Sequence, residues 1–267
     1  MNTTGSALVQ FDGVVKEFAK RGDTFRAVDG LSFEVRQGER IAIVGETGSG
    51  KSTALNLLLG LTKPTQGSVS VLGLDPFARF NELAGRIGII FQTARLLDWR
   101  TSLDNAAFGL QMLGVGKRER HDVARDWLER LGLGDFLNAY PHELSGGMRQ
   151  RVSIARTMAI SPEVLVADEA FSALDEMTAA SVRADLLDLL EEQQMTTIFV
   201  THSVPESVAL ADRVLVFTRP GHVKATCDVN EQRAAGRTDA EIQDLIRDGL
   251  RDSGAGADVA GRRSARV

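Results

Sequence analysis

A glycine-rich stretch at residues 45–53, GETGSGKST, carries the clearest chemical signal in this chain. It matches the pattern G-x-x-x-x-G-K-[ST], in which glycines let backbone N–H groups approach phosphate oxygens at the start of a helix. Lys51 would supply a mobile cation for the β- and γ-phosphates, and the Ser52 hydroxyl would be a magnesium ligand. Residues 41–44 predict a buried strand and residues 52–59 a helix, which is the context that the pattern needs. The stretch therefore predicts a nucleoside triphosphate site formed by Gly45, Glu46, Thr47, Gly48, Ser49, Gly50, Lys51, Ser52 and Thr53.

Polar side chains also stand at the ends of other predicted strands, where α/β sheets bind their ligands. Asp168 and Glu169 follow the apolar run 164–167, so that Asp168 suits magnesium coordination and Glu169 suits a general base. Such a pair is equally common at a solvated strand end. Gln92 and His202 end two further runs. A lone histidine is more often structural, but its shared placement with the other polar groups favours a catalytic site.

Length and composition are those of a globular protein that can bury a sizeable core. The chain has 267 residues, of which 25% are charged and 43% hydrophobic. The net charge of 31 − 36 = −5 indicates no basic surface for nucleic acid, and the single cysteine, Cys227, excludes an internal disulfide. No apolar run approaches the ~20 residues of a membrane helix, and residues 1–6 do not begin a signal peptide. We expect a cytosolic protein whose membrane role would come through a partner.

The alternation of predicted strands and helices indicates an α/β fold with a largely parallel sheet and antiparallel additions. Residues 8–15 and 31–35 predict two strands separated by a polar loop, in which Phe18 either packs in the core or contacts a ligand. From residue 93 to 144 helical spacing predicts an inserted lobe, with Ser102 as the cap of a helix through Met112. Residues 238–241 form a capping box before a short amphipathic helix.

Residues 144–151, LSGGMRQR, resemble the signature motif of ATP-binding-cassette (ABC) ATPases. Gln92, Asp168 with Glu169, residues 172–175 and His202 fall in the Q-loop, Walker B, D-loop and switch-histidine places of that family, in family order. The resemblance covers residues 8–226. It implies a P-loop NTPase of the ABC-ATPase fold, with an antiparallel β subdomain and an inserted helical subdomain, that hydrolyses ATP with Mg²⁺.

The resemblance further implies a homodimer in which two subunits sandwich two ATP molecules head to tail. Ser145, Gly146 and Gly147 of one subunit would cap the γ-phosphate held by the other's phosphate loop, and a helix N-terminus of this kind is a ready anion site. Phe18 sits where the family places an aromatic that stacks on adenine. The implied catalytic residues are Glu169, His202, Gln92 and Lys51; the implied magnesium ligands are Ser52, Gln92 and Asp168; and Asp175 joins the nucleotide-binding residues.

A finer resemblance lies in residues 91–100 (FQTARLLDWR), 103–109, 140–144 and 201–206, which are similar to importer ATPases of the nitrate/sulfonate/taurine group. It implies a peripheral subunit on the cytoplasmic side of the cell membrane, bound beneath integral-membrane permease subunits. These receive a small solute from a periplasmic or extracellular solute-binding protein, so the ATPase subunit does not touch the solute. Ala170 departs from the family, which usually has proline there, and is expected to loosen the turn after Glu169.

The expected organisation is an ABC ATPase domain over residues 1–229 with the helical subdomain inserted at about 93–160. A C-terminal helical extension over 230–253 and a disordered tail over 254–267 follow. A soluble ABC ATPase acting on ribosomes or DNA is the alternative, but such proteins usually carry two cassettes or a long coiled-coil insert, and neither is visible. A silent regulatory cassette is disfavoured because Lys51, Asp168, Glu169 and His202 are all present.

Overall fold

A computed structural model describes residues 6–20 and 23–251. Its strands, within those residues, are β1 (Ala7–Lys20), β2 (Asp23–Arg36), β3 (Arg40–Gly45), β4 (Gln66–Val71), β5 (Ile87–Phe91), β6 (Val164–Asp168), β7 (Thr196–Thr201), β8 (Arg213–Thr218) and β9 (His222–Asp228). Its helices are α1 (Lys51–Leu58), α2 (Ser102–Ala106), α3 (Phe108–Met112), α4 (Lys117–Arg130), α5 (Gly146–Met158), α6 (Glu176–Gln193), α7 (Val204–Leu210), α8 (Val229–Ala234) and α9 (Asp239–Arg251). The tail predicted to be disordered lies outside the described residues, as do residues 1–5 of the N-terminal stretch.

The described residues form two compact units, the first within the ranges Met1–Phe80 and Phe199–Val267 and the second within Asn81–Ile198. In the first unit, β2, β1 and β4 form an antiparallel sheet in that order. A second sheet in this unit has the order β7-β3-β8-β9, with β3 and β8 parallel and β9 antiparallel to β8. In the second unit β5 and β6 are parallel, and helices α2 to α5 follow β5 in the chain. Parallel strands with antiparallel additions are the mixture that the sequence predicts.

The first two strands are longer than their apolar patterns predict. The β1–β2 pairing runs from Ala7↔Arg36 to Lys20↔Asp23, so the loop expected after residue 15 is wrong. The polar residues there still pair because an antiparallel ladder satisfies backbone groups whatever the side chains are. Phe18 consequently lies within a strand, opposite Phe25.

The helical lobe begins at Thr101 rather than at Ser102. The Thr101 hydroxyl accepts a hydrogen bond from the Asp104 backbone N–H (3.2 Å), whereas buried Ser102 donates its hydroxyl to the Ala139 carbonyl (3.1 Å). The helix expected to run through Met112 is interrupted at Ala107, which separates α2 from α3. The prediction of Ser102 as the cap was wrong because its hydroxyl donates to the Ala139 carbonyl, 37 positions away, and the local sequence pattern does not indicate this contact.

The C-terminal extension contains two helices, of which the sequence predicted the second. At its start, Thr238 and Glu241 form the expected capping box. The Glu241 carboxylate accepts a hydrogen bond from the Thr238 backbone N–H (2.8 Å), and the Thr238 hydroxyl accepts one from the Glu241 backbone N–H (3.4 Å). Buried Ile242 and Ile246 hold α9 in the first unit. None of the helices within residues 6–20 and 23–251 has the length and apolar character needed to span a membrane.

Candidate functional site

The phosphate loop lies in the first unit, between strand β3 and helix α1. Residues Gly48 and Gly50 have φ values of +81° and +85°, a left-handed region that glycine enters without steric cost. The Lys51 ammonium is buried and donates to the backbone carbonyls of Gly45 and Glu46. The Lys51 side chain therefore folds back onto the first residues of its own loop. The backbone N–H groups at the start of α1 lie at the positive end of that helix.

Close packing explains two of the loop's glycines. A Cβ atom on Gly45 would lie 2.6 Å from Ser49 Oγ and 2.7 Å from the Phe217 carbonyl oxygen, and one on Gly50 would lie 2.7 Å from the Ala27 carbonyl oxygen. Ser49 Oγ is itself buried without a hydrogen-bond partner among the residues that the structure describes. Buried polar atoms are rarely left in this state, so the loop carries a local cost that is characteristic of binding sites.

Phe18 is a surface residue, because 42% of it is exposed. This excludes core packing, one of the two interpretations that the sequence left open. Phe25, directly opposite on β2, is 56% exposed, and paired residues of an antiparallel ladder share a face. The Lys16 ammonium lies 5.0 Å from the centroid of the Phe18 ring. An exposed aromatic pair can stack on a flat ligand. Phe25 was not predicted from the sequence because the predicted strands, 8–15 and 31–35, did not include it.

His202 directly follows β7, in a loop held by a residue that sequence reasoning missed. The Thr201 hydroxyl donates to the carboxylate of buried Glu206 and accepts from the Ser203 backbone N–H (3.0 Å). Ser203 in turn caps α7 by accepting from the Glu206 backbone N–H (3.3 Å). These bonds on both sides of His202 fix the backbone from which its exposed side chain extends.

In the second unit, Gln92 and Glu169 come together at the ends of neighbouring parallel strands. Phe91 on β5 pairs with Asp168 on β6, so the residues that follow them leave the sheet side by side. Glu169 has φ +48°, which is unusual for a residue with a side chain and is found preferentially at functional sites. Asp168 and Glu169 are partly buried, and Gln92 is exposed. The strand register therefore brings the ends of β5 and β6 next to each other, and a joint catalytic role of these three residues stays a prediction.

The turn after Glu169 is closed although Ala170 replaces the family's usual proline. Ser172 donates both its backbone N–H (3.1 Å) and its hydroxyl (2.9 Å) to the Glu169 carbonyl. The carbonyl of buried Ala170 accepts from the side chain of Gln150 (2.7 Å). These three bonds hold the segment after Glu169, and the effect of Ala170 on the turn stays a prediction.

Gln150, on helix α5, connects the two strand ends. Its side-chain amide donates to the Phe91 carbonyl (3.0 Å) as well as to that of Ala170, and it is only 3% exposed. Phe91 immediately precedes Gln92, and Ala170 immediately follows Glu169. One buried amide thus positions the backbone at both predicted catalytic residues.

We expect Gln150→Leu to lower kcat about tenfold with a much smaller change in KM for ATP. The replacement removes the amide donor from the buried Ala170 carbonyl, at a cost of ~1–3 kcal/mol, and from the part-buried Phe91 carbonyl. The backbone at Gln92 and Glu169 is then held less firmly. Steady-state ATPase kinetics and thermal unfolding would be measured against Gln193→Leu, the same change at the exposed end of α6. An unchanged kcat in a folded Gln150→Leu protein would contradict the positioning role.

The LSGG residues stand at the start of α5, beside the start of α6. Ser145 caps α5, its hydroxyl accepting from the Met148 backbone N–H (3.2 Å). A Cβ on Gly147 would lie 2.5 Å from Thr178 Cγ2, so α5 and α6 approach each other at this glycine. Asp175 caps α6, and hydrogen bonds from the Thr178 side chain and backbone lower the pKa of its carboxyl group. The second unit therefore presents the helix N-terminus at which the sequence predicts a phosphate cap.

The predicted site residues are divided between the two units. The first unit holds the phosphate loop, Phe18 and His202, and the second holds Gln92, Asp168, Glu169, Asp175 and residues 145–147. No cluster of three or more His, Cys, Asp or Glu side chains able to bind a metal occurs in residues 6–20 and 23–251. The Ser52 hydroxyl of the first unit and the Gln92 amide and Asp168 carboxylate of the second are each oxygen ligands that Mg²⁺ accepts, and Mg²⁺ usually takes few protein ligands together with phosphates and waters.

Comparison with known proteins agrees with this arrangement. Residues 28–172 match the family described as ABC transporter. The chain is 41% identical over 212 residues to the nitrate import ATP-binding protein NrtD of Synechocystis sp., covering 79% of this chain and 78% of NrtD. It is 39% identical over 221 residues to the taurine import ATP-binding protein TauB of Rhizobium johnstonii, covering 82% and 83%. The fold is similar to the ATP-binding cassette MJ0796, solved as a dimer in a post-hydrolysis state bound to ADP and Pi, with TM-score 0.73, 30% identity and coverage of 83% and 98%. The predicted family and fold are confirmed.

Proposed function

This chain belongs to the ABC transporter family and is an ATPase, and we propose that it is the ATP-hydrolysing subunit of an importer for a small solute. The similarity to import proteins for nitrate and taurine supports this transport role and the cytoplasmic face of the cell membrane as its location. The same support extends to membrane permease subunits as partners and to a solute-binding protein as an indirect one. The solute is a small nitrate-, sulfonate- or taurine-like compound or a related organic molecule.

ATP binds at residues 45–53 in this proposal. The loop's N–H groups, the start of α1 and Lys51 hold the phosphates, and Phe18 and Phe25 receive the base. Mg²⁺, with Ser52, Gln92 and Asp168 as ligands, would balance phosphate charge and fix the geometry of the γ-phosphate. Glu169 takes a proton from the attacking water, and His202 contacts the γ-phosphate region.

Two copies of the chain complete each site. Ser145, Gly146 and Gly147 of one copy cap the phosphate held by the other's loop, with Asp175 nearby. The dimeric state of MJ0796 bound to ADP and Pi supports this arrangement. The cap lies at the N-terminus of a helix, α5, long enough to carry a useful dipole.

The loop between β5 and α2 is the structural observation that best supports a role in transport. Trp99 on this loop is 74% exposed, although tryptophan is usually well covered in a monomer. The backbone around it is nevertheless fixed. Buried Asn105 bonds the Leu97 N–H (2.7 Å) and carbonyl (3.1 Å), and Arg156 donates to the carbonyls of Ala94 and Arg95 (2.8 Å each). Burial lowers the pKa of Arg156, as expected for a cation that anchors a loop from beneath. A rigid loop with an exposed aromatic fits a docking surface for a permease helix.

We expect Trp99→Ala and Leu97→Asp to weaken permease binding and solute uptake at least tenfold, since central aromatic anchors carry much of an interface's energy. ATP binding by the isolated subunit should be unchanged, because neither side chain belongs to the nucleotide site. Co-purification with the permease subunits and uptake into membrane vesicles measure the loss. Leu245→Ala, which truncates an exposed apolar side chain on α9, is the matched control.

Thermal unfolding of the free subunit separates docking from folding. A stability loss of several kcal/mol in Trp99→Ala would identify a packing role, and normal uptake with either variant would remove this loop from the permease interface.

A further inference from the structure

The turn between β8 and β9, residues 219–221, lies directly on the phosphate loop. The Gly221 N–H donates to the Ala27 carbonyl (2.9 Å), and the Gly221 carbonyl accepts from the Asp29 N–H (3.0 Å), which attaches the turn to β2. A Cβ on Gly221 would lie 3.1 Å from the Ser49 carbonyl oxygen and 3.2 Å from Gly50 Cα. The turn is therefore fixed against β2 on one side and against the phosphate loop on the other, all within the first unit.

Arg219 in this turn places its guanidinium against Gly48. A Cβ on Gly48 would lie 2.9 Å from Arg219 Nη2 and 3.0 Å from Arg219 Cζ, so the guanidinium occupies the space that a side chain at 48 would need. Arg219 is exposed, and its side chain has no hydrogen bond or ion pair within residues 6–20 and 23–251. By contrast, Arg26 and Arg213 of the same unit are paired with carboxylates.

An unpaired arginine beside a phosphate loop has the chemistry of an anion ligand. A guanidinium is a cation with five N–H donors in a planar fork that matches phosphate oxygens. Lys51 is buried and bonds the carbonyls of Gly45 and Glu46, whereas Arg219 is exposed and lies beside Gly48. The two cations therefore lie against different residues of the loop.

We propose that Arg219 is a second phosphate-binding cation of the ATP site, contacting the nucleotide's polyphosphate from the Gly48 side of the loop. The inference rests on the proposed binding of ATP at residues 45–53. It also gives Gly48 a role beyond its backbone angle, because a side chain there would displace the guanidinium.

The test is isothermal titration calorimetry, in which ATP, ADP or AMP is titrated into the purified chain without magnesium. Loss of one charge-assisted contact should raise the Kd for ATP about tenfold in Arg219→Ala, with a similar change for ADP and a much smaller one for AMP. Arg219→Lys, which keeps the charge but loses the fork, should fall between the wild type and Arg219→Ala. Arg237→Ala removes an exposed arginine between α8 and α9 and should leave all three affinities unchanged.

Each outcome has a distinct meaning. Equal ATP affinity in the wild type and Arg219→Ala, or equal weakening for AMP and ATP, overturns the phosphate contact while leaving the ATP site intact. A wild type that binds no ATP overturns both the site and this inference. Should Arg219→Ala fail to fold, Arg219→Gln, which keeps most of the side-chain length, enters the same titration and is judged by the same results.

Discussion

Glu169→Gln should bind ATP normally, form a stable ATP-bound dimer and hydrolyse ATP ~10²–10⁴-fold more slowly than the wild type, the usual cost of losing a general base. The amide keeps the shape of the side chain but cannot accept a proton from water. Glu169 lies at the end of β6 with a left-handed φ of +48°, and Ser172 closes its turn. The variant should therefore change chemistry without changing structure.

Size-exclusion chromatography with ATP and magnesium detects the dimer, and phosphate release gives the rate. Glu163→Gln is the matched control: this exposed carboxylate, whose pKa is lowered by its hydrogen bond to Arg86, lies on the same unit before β6. Near-normal turnover in Glu169→Gln would remove Glu169 from the catalytic role.

Mixed dimers of Ser145→Arg and Lys51→Ala chains should retain partial ATPase activity, up to roughly half of the wild-type rate per dimer, although each homodimer is nearly inactive. An arginine at 145 blocks the phosphate cap at the start of α5, and loss of Lys51 removes the cation of the phosphate loop. If each ATP contacts both subunits, the mixed dimer has one site with both lesions and one with neither. Differently tagged chains, purified through both tags, provide the mixed species.

Two results would count against this arrangement. Full activity of the Ser145→Arg homodimer would refute the cap. A completely inactive mixed dimer would contradict the expected partial activity and leave either unshared sites or obligatory coupling between the two.

The phosphate loop and the strand-end residues could be predicted because their signal is local. Gly45, Lys51 and Ser52 lie within eight positions of one another, and the flanking strand and helix are contiguous with them. Asp168 and Gln92 were placed correctly because an apolar run fixes where a buried strand ends. The α/β fold followed from the same runs.

Residues that act through distant contacts could not be found in this way. Gln150 reaches carbonyls 59 and 20 positions away, and no spacing rule links it to them. Phe25 is recognisable only once the β1–β2 register is known, and Arg219 only once the β8–β9 turn is seen against Gly48. The cap at Thr101 was missed because its neighbour Ser102 has the same chemistry, and a distant carbonyl decides between them.

The central claim is that this chain hydrolyses ATP at the loop formed by residues 45–53. Phosphate release by the purified chain with magnesium and ATP, measured for the wild type and for Lys51→Ala, tests it most directly. We expect saturable release by the wild type and a loss of ~10²-fold or more in Lys51→Ala, because Lys51 neutralises charge that develops on the transferred phosphate. Absence of release by the wild type, or equal rates in the two proteins, would contradict the account.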